Sequence, residues 1–365
     1  MKRLYNLILA CLLMVLLSAC GKQAGADSSA DKVMEQQGQT ERAGTTEQTE
    51  QEQPAVSEAE QTEAQTENIL TDREEQKIEG GDNTVMGDIS FNFETKTVLL
   101  NSGYEMPIYG IGTYSLTGDT CVESVTAALN SGVRLIDTAY MYHNEEGVGR
   151  GIRRAIEEGF VTREEIFVTT KMWTDDYGNG AAAIDASLER LGLDYIDLMI
   201  LHHSAPGSDV SAYQAMEQAV SEGKLRSIGL SNYYTPDDFD RFVGETTITP
   251  ALLQNETHPY HQSTEMKEHL RQYGTVMESW YPLGGRGNTQ TLFSDETIVE
   301  IADAHNKTSA QIILRWHLQA GNIAIPGSSN EAHIQENYEI FDFELTEDEM
   351  QRMTALDRNE RFASY

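Results

Sequence analysis

The chain has 365 residues and a formal net charge of −33, with 59 acidic residues against 26 basic ones. A field of that sign repels nucleic acid and anionic lipid head groups, so the composition excludes a nucleic-acid-binding role. Any contact with a membrane must then come from a lipid or an apolar segment.

Residues 1–19 are predicted to be a secretory signal. Lys2 and Arg3 precede an apolar run of about 14 residues, which is short for a membrane span of roughly 20. The stretch LLSAC resembles the lipobox of bacterial lipoproteins, in which the cysteine becomes the lipidated first residue. This resemblance implies that Cys20 anchors the protein to the cell membrane on its extracytoplasmic face. An uncleaved anchor helix is the alternative.

Lipidation of Cys20 also determines how many cysteines remain for a disulfide. Cys11 lies in the segment that is removed, so Cys121 is the one cysteine left for the folded part. No internal disulfide can form, and Cys121, in a predicted helix, is interpreted as a small core residue.

Residues 20–88 are predicted to be a disordered tether. Between residues 21 and 88 there are 17 acidic residues and 5 basic ones, set among Gln, Thr, Ala, Ser and Gly. Large apolar side chains are too few to offset the entropy lost on ordering, and the like charges repel one another. A weak helix is possible in the Glu/Gln-rich part, but it has no apolar face to pack.

Residues 89–365 are predicted to form one (β/α)8 TIM barrel. Short apolar runs alternate with amphipathic segments that end in Gly, which is typical of a parallel sheet with crossover helices. Eight such units favour a closed barrel of about 250 residues. The rival is an open doubly wound sheet, but the first strand, YGIGTYSLTG, lacks the third glycine of a dinucleotide fingerprint. The strand-like runs are YGIGT, VRLIDTA, IFVTTK, IDLMILH, LRSIGLSN, ALLQNE, TVMESW and NIAIP.

Two additions flank the predicted barrel. TVLLNSGYEMPI indicates an N-terminal β-hairpin that turns at Asn101-Ser102-Gly103. Thr346 followed by Glu349 is typical of a capping box and predicts a C-terminal helical extension.

Chemically active side chains follow three successive strands of this barrel. Asp137 ends the second strand and Tyr140 and Tyr142 follow it, Lys171 ends the third, and His202 stands at the end of the fourth. The carboxyl ends of barrel strands meet at one mouth. A lysine beside a tyrosine favours the phenolate and lowers the tyrosine pKa, which makes a tuned proton donor for carbonyl reduction.

No nucleophile elbow, phosphate-binding Gly-Lys loop or cysteine lies near these strand ends, so the hydride must come from a cofactor. The alternative for the same side chains is a purely structural buried ion pair beside a satisfied Tyr and His.

The sequence from about Val98 to Ala363 resembles the aldo-keto reductases. The matching stretches include LNSGYEMPIYGIGTY, DTAYMYHNEEGVGRGI, VTTKMW, YIDLMILHH, IGLSNY, QNETHPYHQ, SWYPLGG and IPGSSNEAHIQEN. The resemblance implies NAD(P)H-dependent reduction of an aldehyde or ketone to the alcohol. It makes Tyr142 the proton donor, Asp137 and Lys171 its tuning pair, and His202 the group that orients the substrate.

The same resemblance implies a nicotinamide cofactor site. Ser231, Asn232 and Gln254 hold the carboxamide, Trp280 stacks under the nicotinamide, and Ser328 lies at the adenosine end. The residues predicted to contact the cofactor are Thr113, Asp137, Ser231, Asn232, Gln254, Trp280, Pro282, Leu283, Ser328, His333, Glu336 and Asn337.

The chain departs from the common family pattern at Gly327 and His333, where many members have Lys and Arg that grip the 2′-phosphate of NADPH. The choice between NADPH and NADH therefore stays open. His203 stands where a Trp is frequent. The predicted substrate pocket consists of Tyr114, Trp173, His202 and His203.

Parts of the sequence are also compatible with other classes of protein. Histidines 202, 203, 258 and 261 invite a metal site, but adjacent histidines point to opposite faces of a strand, so no metal is predicted. A non-catalytic nicotinamide-nucleotide-binding surface lipoprotein on the same fold is the main alternative. An adhesion or scaffold protein is a second one, and it predicts no nucleotide binding. The expected partner is a small carbonyl compound, and the expected state is a monomer.

Overall fold

A small antiparallel sheet opens the part of the chain that the computed structural model describes, residues 89–363. Its strands are β1 (Phe91–Asn92), β2 (Thr97–Leu99) and β3 (Glu105–Pro107). β2 and β3 form the predicted hairpin, and Gly103 takes the positive φ of +87° that its turn requires. β1 was not predicted, because two residues are too few to show a period.

The predicted signal segment at 1–19, the anchor cysteine Cys20 and the predicted tether at 20–88 lie outside the described residues. Within residues 89–363, no helix combines the length and the apolar character needed to cross a membrane.

Eight parallel strands follow, and together they form the barrel. Each pairs with the next along the chain. Tyr109 pairs with Ala324, and the Gly112 amide donates to the Pro326 carbonyl at 3.1 Å, so the last strand meets the first. This closure confirms the barrel and excludes the open sheet. The strands are β4 (Gly110–Gly112), β5 (Leu135–Asp137), β6 (Phe167–Met172), β7 (Ile196–Leu201), β8 (Leu225–Ser231), β9 (Leu252–Glu256), β10 (Val276–Trp280) and β11 (Asn322–Ala324).

Helices surround the barrel and explain why its strands are buried on both faces. All six residues of β6 and all six of β7 are buried, since one face looks into the barrel and the other packs on helices. The helices are α1 (Gly118–Asn130), α2 (Glu145–Glu157), α3 (Gly180–Leu191), α4 (Asp209–Ser221), α5 (Pro236–Val243), α6 (Thr264–Leu270), α7 (Thr289–Phe293), α8 (Glu296–His305), α9 (Ser309–Gln319), α10 (Glu331–Tyr338) and α11 (Glu347–Thr354). Short 3₁₀ segments lie at Tyr140–Tyr142, Arg163–Glu165, Thr174–Asn179 and Arg271–Tyr273.

The predicted C-terminal helix is α11. The Thr346 hydroxyl accepts from the Glu349 amide, and the Glu349 carboxylate accepts from the Thr346 amide at 2.7 Å, which is the reciprocal capping box. The helix buries Met353 in a second apolar cluster with Ile298 and Trp316.

The hairpin covers the amino end of the barrel. The Asn101 amide donates to the carbonyls of Pro250 and Tyr273, at 3.1 and 3.2 Å, and the Ser102 hydroxyl lies 2.7 Å from that of Ser227. Pro250 precedes β9, Tyr273 precedes β10, and Ser227 lies near the start of β8, so all three are at the amino end of the barrel. The opposite end, where the strands finish, stays open as the mouth.

Candidate active site

Lys171, at the end of β6, connects two other side chains at the mouth. Its ammonium donates to the Asp137 carboxylate at 2.6 and 2.8 Å and to the Thr138 carbonyl at 2.9 Å. It also donates to the Tyr142 hydroxyl at 3.2 Å. Tyr142 ends the 3₁₀ turn that follows β5, so the turn carries its phenol back over Lys171. The structure therefore brings together the predicted Asp, Lys and Tyr.

The Lys171 ammonium is fully buried, yet it keeps its charge. Burial lowers the pKa of Lys171, but Asp137 and Tyr142 together raise it above the ordinary value. Burial raises the pKa of Asp137, and Lys171 opposes that shift through its charge and its hydrogen bonds. A buried cation with a paired carboxylate is a fixed source of positive potential beside the phenol oxygen.

His202 lies across the mouth from Tyr142. The two rings meet edge to face with centroids 5.9 Å apart, and Trp173 packs edge-on against His202 at 5.1 Å. Burial, followed by the charges of Lys171 and His203, lowers the pKa of His202 to about 2. The imidazole is therefore neutral at physiological pH and can donate one N–H to a substrate oxygen.

His203 continues the same wall. Its ring stacks on that of His202 with centroids 5.1 Å apart and planes 6° from parallel. The expectation that these two histidines point to opposite faces of a strand was therefore wrong, because both follow Leu201, the last residue of β7. The Tyr177 hydroxyl donates to the His203 carbonyl at 2.7 Å and accepts from its amide at 3.2 Å. These bonds hold the strand end rigid, so both imidazoles keep their place.

A cavity of about 1180 Å³ opens above these side chains. It exceeds the roughly 300–1,000 Å³ of ordinary small-molecule sites, so it can hold a dinucleotide and a second small molecule. Two predicted residues are not on its surface: Lys171 lies beneath it, and Thr113 is fully buried, with its hydroxyl committed to the Asp137 carbonyl at 3.0 Å. The predicted residues that do line it are Tyr114, Asp137, Tyr142, Trp173, His202, His203, Ser231, Asn232, Gln254, Trp280, Pro282, Leu283, Ser328, His333, Glu336 and Asn337.

The Asn232 amide ties several parts of the mouth together. Its nitrogen donates to the His202 carbonyl at 2.8 Å, and its oxygen accepts from the Trp280 indole at 3.2 Å and from the Tyr234 hydroxyl at 2.7 Å. Asn232 has a positive φ of +62°, which Asn tolerates better than most residues. The Trp280 ring is thereby fixed at the end of β10.

Gln254 has a partner arrangement that the sequence did not predict. Its amide nitrogen donates to Asp137 at 2.8 Å and also to Glu278 at 2.9 Å. Both carboxyl groups are buried in the barrel interior. Glu278 was missed because it lies inside β10 rather than at its end; its charge within the apolar run VMESW was the available signal.

The loop after β11 explains one departure from the family pattern. A Cβ added to Gly327 would lie 2.8 Å from the Gly112 carbonyl oxygen, a backbone atom that cannot move aside easily. A lysine therefore does not fit there unless the first barrel strand and the loop after the last strand move apart. Nearby, the Ser328 hydroxyl accepts from the Asn330 amide at 3.1 Å, and His333 is exposed on α10.

Arg286 also lines the cavity, although it was not among the residues that the sequence predicted there. It lies between Gly285 and Gly287, which have positive φ values of +67° and +88°. Among the described residues that line this cavity, it is the one lysine or arginine. The glycine-rich stretch GGRG after β10 was the signal for this loop.

Glu256 holds the end of the described chain at the mouth. Its buried carboxylate accepts from the amides of Phe362 and Ala363 and from Arg361 at 3.1 Å. The Phe362 ring stacks on His258 with centroids 4.2 Å apart. His258 thus takes part in packing the tail, and residues 89–363 contain no group of three or more His, Cys, Asp or Glu side chains placed to hold a metal.

The chain is similar to known proteins over nearly all of its described part. The model of the aldo/keto reductase family matches residues 109–358. Glyoxal reductase of Bacillus subtilis (strain 168) is 41% identical over 268 residues, which cover 73% of this chain and 94% of that protein. Methylglyoxal reductase DkgA of Yersinia pestis is 40% identical over 268 residues, with 72% and 94% covered. The crystal structure of a Bombyx mori aldo-keto reductase in complex with NADP superposes with a TM-score of 0.68 at 34% identity, and the match covers 73% of this chain and 94% of that chain.

Proposed function

Because the chain belongs to the aldo/keto reductase family, we propose that Tyr142 gives the proton in its reaction and that NADPH is its preferred hydride donor. The protein is an NAD(P)H-dependent oxidoreductase that reduces a small aldehyde or ketone to the alcohol. The observation that carries the assignment of Tyr142 is the 3.2 Å bond from Lys171 to its hydroxyl, with Asp137 behind Lys171 at 2.6 Å.

The side chains at the mouth act on the carbonyl oxygen. When bound, the nicotinamide supplies the hydride to the carbonyl carbon. The oxygen gains negative charge as this happens, and the Tyr142 hydroxyl donates its proton there. The fixed ammonium of Lys171 stabilises the phenolate that remains. The neutral His202 donates a hydrogen bond that orients the same oxygen, while Trp173 keeps water from one side.

The residues of the cavity fit a nicotinamide cofactor. The Ser231 hydroxyl and the Gln254 carbonyl oxygen are the groups proposed for the carboxamide. The Asn232 amide is already bonded at its nitrogen and its oxygen, so its part is to hold the Trp280 ring, which offers a face to the nicotinamide. For the adenosine end we propose Ser328, which precedes α10, and Glu336 and Asn337, which lie in the last turn of α10.

The preference for NADPH is supported by the NADP complex of the Bombyx mori relative. In this chain Ser328 and His333 are the side chains proposed for the 2′-phosphate. Position 327 cannot contribute, because a side chain there would meet the Gly112 carbonyl. With fewer basic contacts, we expect weaker discrimination against NADH than a Lys and Arg pair provides.

The proposed substrates are small, polar aldehydes of the 1,2-dicarbonyl class. The names of two relatives specify glyoxal and methylglyoxal as their substrates. In this chain the pocket wall carries the imidazole of His203 in stacked contact with His202. A polar ring at this position favours a second oxygen on the substrate over an extended apolar group.

The function is tested by titrating the protein with NADPH and NADH while following Trp fluorescence, and then by assaying glyoxal, methylglyoxal and a bulky ketone. We expect saturable quenching by both cofactors, a preference for NADPH of less than about tenfold, and turnover of the two aldehydes. Quenching without turnover of any carbonyl supports the non-catalytic binder instead. Absence of quenching supports the adhesion or scaffold protein.

We further propose that the enzyme is a monomeric surface lipoprotein, with a signal segment at 1–19, a lipid on Cys20 and a disordered tether at 20–88. The support is the lipobox-like LLSAC and the composition of the tether. Cys20→Ala is expected to release the protein from the membrane fraction. Cys121→Ala is the control, since Cys121 is buried in α1 and should leave the fractionation unchanged. Retention of the Cys20 variant in the membrane contradicts the lipid anchor.

A further inference from the structure

Two carboxyl groups in the barrel interior lie near one buried cation, which pairs with only one of them. Asp137 and Glu278 are 2% and 0% exposed. Lys171 makes two hydrogen bonds to Asp137, and no lysine, arginine or histidine among the described residues forms an ion pair with Glu278. An uncompensated buried charge is very costly, whereas a neutral carboxylic acid is much less so.

Gln254 connects the two carboxyl groups. The two N–H groups of its amide point in different directions, one to Asp137 Oδ2 at 2.8 Å and one to Glu278 Oε2 at 2.9 Å. The second oxygen of Glu278, Oε1, is buried and has no hydrogen-bond partner among the described residues. The two contacts fix the plane of the Gln254 amide, so its carbonyl oxygen has one orientation at the cavity surface.

We propose that Glu278 is a protonated positioning residue that, through Gln254, holds Asp137 against Lys171 and orients the Gln254 carbonyl for the cofactor. The proton lies on Oε1, because Oε2 accepts from Gln254. The buried group then has one cation and one anion, which balance. The part of the proposal that concerns the cofactor rests on the proposed function of Gln254.

The groups that face Glu278 agree with this charge state. They are Asp137 on β5, Lys171 on β6 and Gln254 on β9. Burial and then the negative charge of Asp137 raise the pKa of Glu278 to about 8, while Gln254 and Lys171 oppose the shift. The residue is therefore neutral at pH 7 and becomes ionised only in alkaline solution.

Glu256, on the neighbouring strand β9, provides an internal comparison. Its side chain is also buried, but Arg361 and two main-chain amides donate to it. Burial raises the pKa of Glu256, but its hydrogen bonds outweigh burial, and the net shift is downward. Both side chains are covered, but burial acts less strongly on Glu256 and its donors outweigh it, whereas Glu278 lies deeper and faces the negative charge of Asp137, so the two glutamates carry different charges.

Infrared difference spectroscopy on the full-length protein without nucleotide tests the protonation directly. At pH 6.5 the wild type minus Glu278→Gln spectrum should contain the carbonyl stretch of a protonated carboxylic acid, and this band should disappear above about pH 9. Glu256→Gln is the matched control: because Glu256 is ionised, the wild type minus Glu256→Gln spectrum should lack this band. A difference spectrum that shows only an ionised carboxylate overturns the proposal, whatever the enzyme reduces.

The positioning role has two further readouts. Ionised Glu278 adds negative charge near Lys171, which donates to the Tyr142 hydroxyl. This added charge offsets part of the positive potential at the phenol, so the phenol keeps its proton to higher pH. In Glu278→Gln the alkaline limb of kcat against pH should therefore lie lower by about one pH unit.

Glu278→Met removes the acceptor for Gln254 and should weaken NADPH binding by about 3–10-fold, an expected loss of one modest hydrogen bond. Glu278→Gln, which retains an acceptor oxygen, should restore most of that affinity. An unshifted alkaline limb, or equal losses of affinity in both variants, contradicts the positioning role. If no carbonyl is reduced at all, the infrared result still decides the charge state.

Discussion

Tyr142→Phe is expected to lower kcat for carbonyl reduction by about 10²–10⁴-fold, the usual contribution of a general acid. The phenol oxygen is the atom that Lys171 reaches at 3.2 Å, and Phe keeps the ring while removing the proton. The ring packing against Tyr114 and His202 is retained, so the Kd of NADPH should change by less than about twofold. Steady-state kinetics and fluorescence titration measure the two quantities separately.

Tyr140→Phe is the matched control for this variant. Tyr140 begins the same 3₁₀ turn, but its ring packs beneath the Arg190 guanidinium at 4.9 Å, and it is not among the residues that line the cavity. Its loss of a hydroxyl should leave kcat within about twofold. If Tyr140→Phe impairs reduction as severely as Tyr142→Phe, the proton does not come specifically from Tyr142.

Lys171→Met is expected to destabilise the fold by about 3–5 kcal/mol, because it leaves the buried Asp137 carboxylate without its cation. Met has a similar length and fills the space, so the loss reports the charge rather than a cavity. Reduction should also fall steeply, since the phenolate of Tyr142 loses its stabilising charge. Urea unfolding and the rate of carbonyl reduction are the measurements.

Lys224→Met is the control, because Lys224 also forms an ion pair, with Asp185 at 2.7 Å, but at the surface, where both side chains are at least 36% exposed. An exposed pair contributes at most about 1 kcal/mol. Comparable losses of stability in the two variants contradict the importance of the buried cation. If Lys171→Met is stable only at low pH, Asp137 has taken up a proton in place of the missing charge.

The barrel was predictable because its signals are local. Strands such as Phe167–Met172 are short runs of mainly apolar or β-branched residues, and several helical segments are followed by Gly, so each unit is predictable without knowledge of its neighbours. The meeting of Asp137, Lys171 and His202 was also predictable, since the carboxyl ends of parallel strands share one edge. Thr346 and Glu349 predicted α11 for the same reason: the capping box lies within four residues.

What the sequence could not predict depends on packing across the barrel. The alternation along β10 indicates that Glu278 points inward, but it does not say which residue of another strand it meets. The Gln254 amide donates to two carboxyl groups, and this orientation depends on the packing of three strands, β5, β9 and β10. Gly327 was recognised as a departure from the family pattern, but its cause, the carbonyl of Gly112 on the first barrel strand, lies more than 200 residues away in the chain.

The hairpin and the tail place the two ends of the described chain at opposite faces of the barrel. The small sheet that contains Phe91–Asn92 covers the amino end, whereas Glu256 holds Phe362 and Ala363 at the mouth. An affinity resin or electrode coupled on the hairpin side of the barrel therefore leaves the entrance facing the flowing solution. A carrier fused after Ala363 stands beside the entrance and obstructs it, so immobilised preparations of this enzyme should be built from the amino-terminal side.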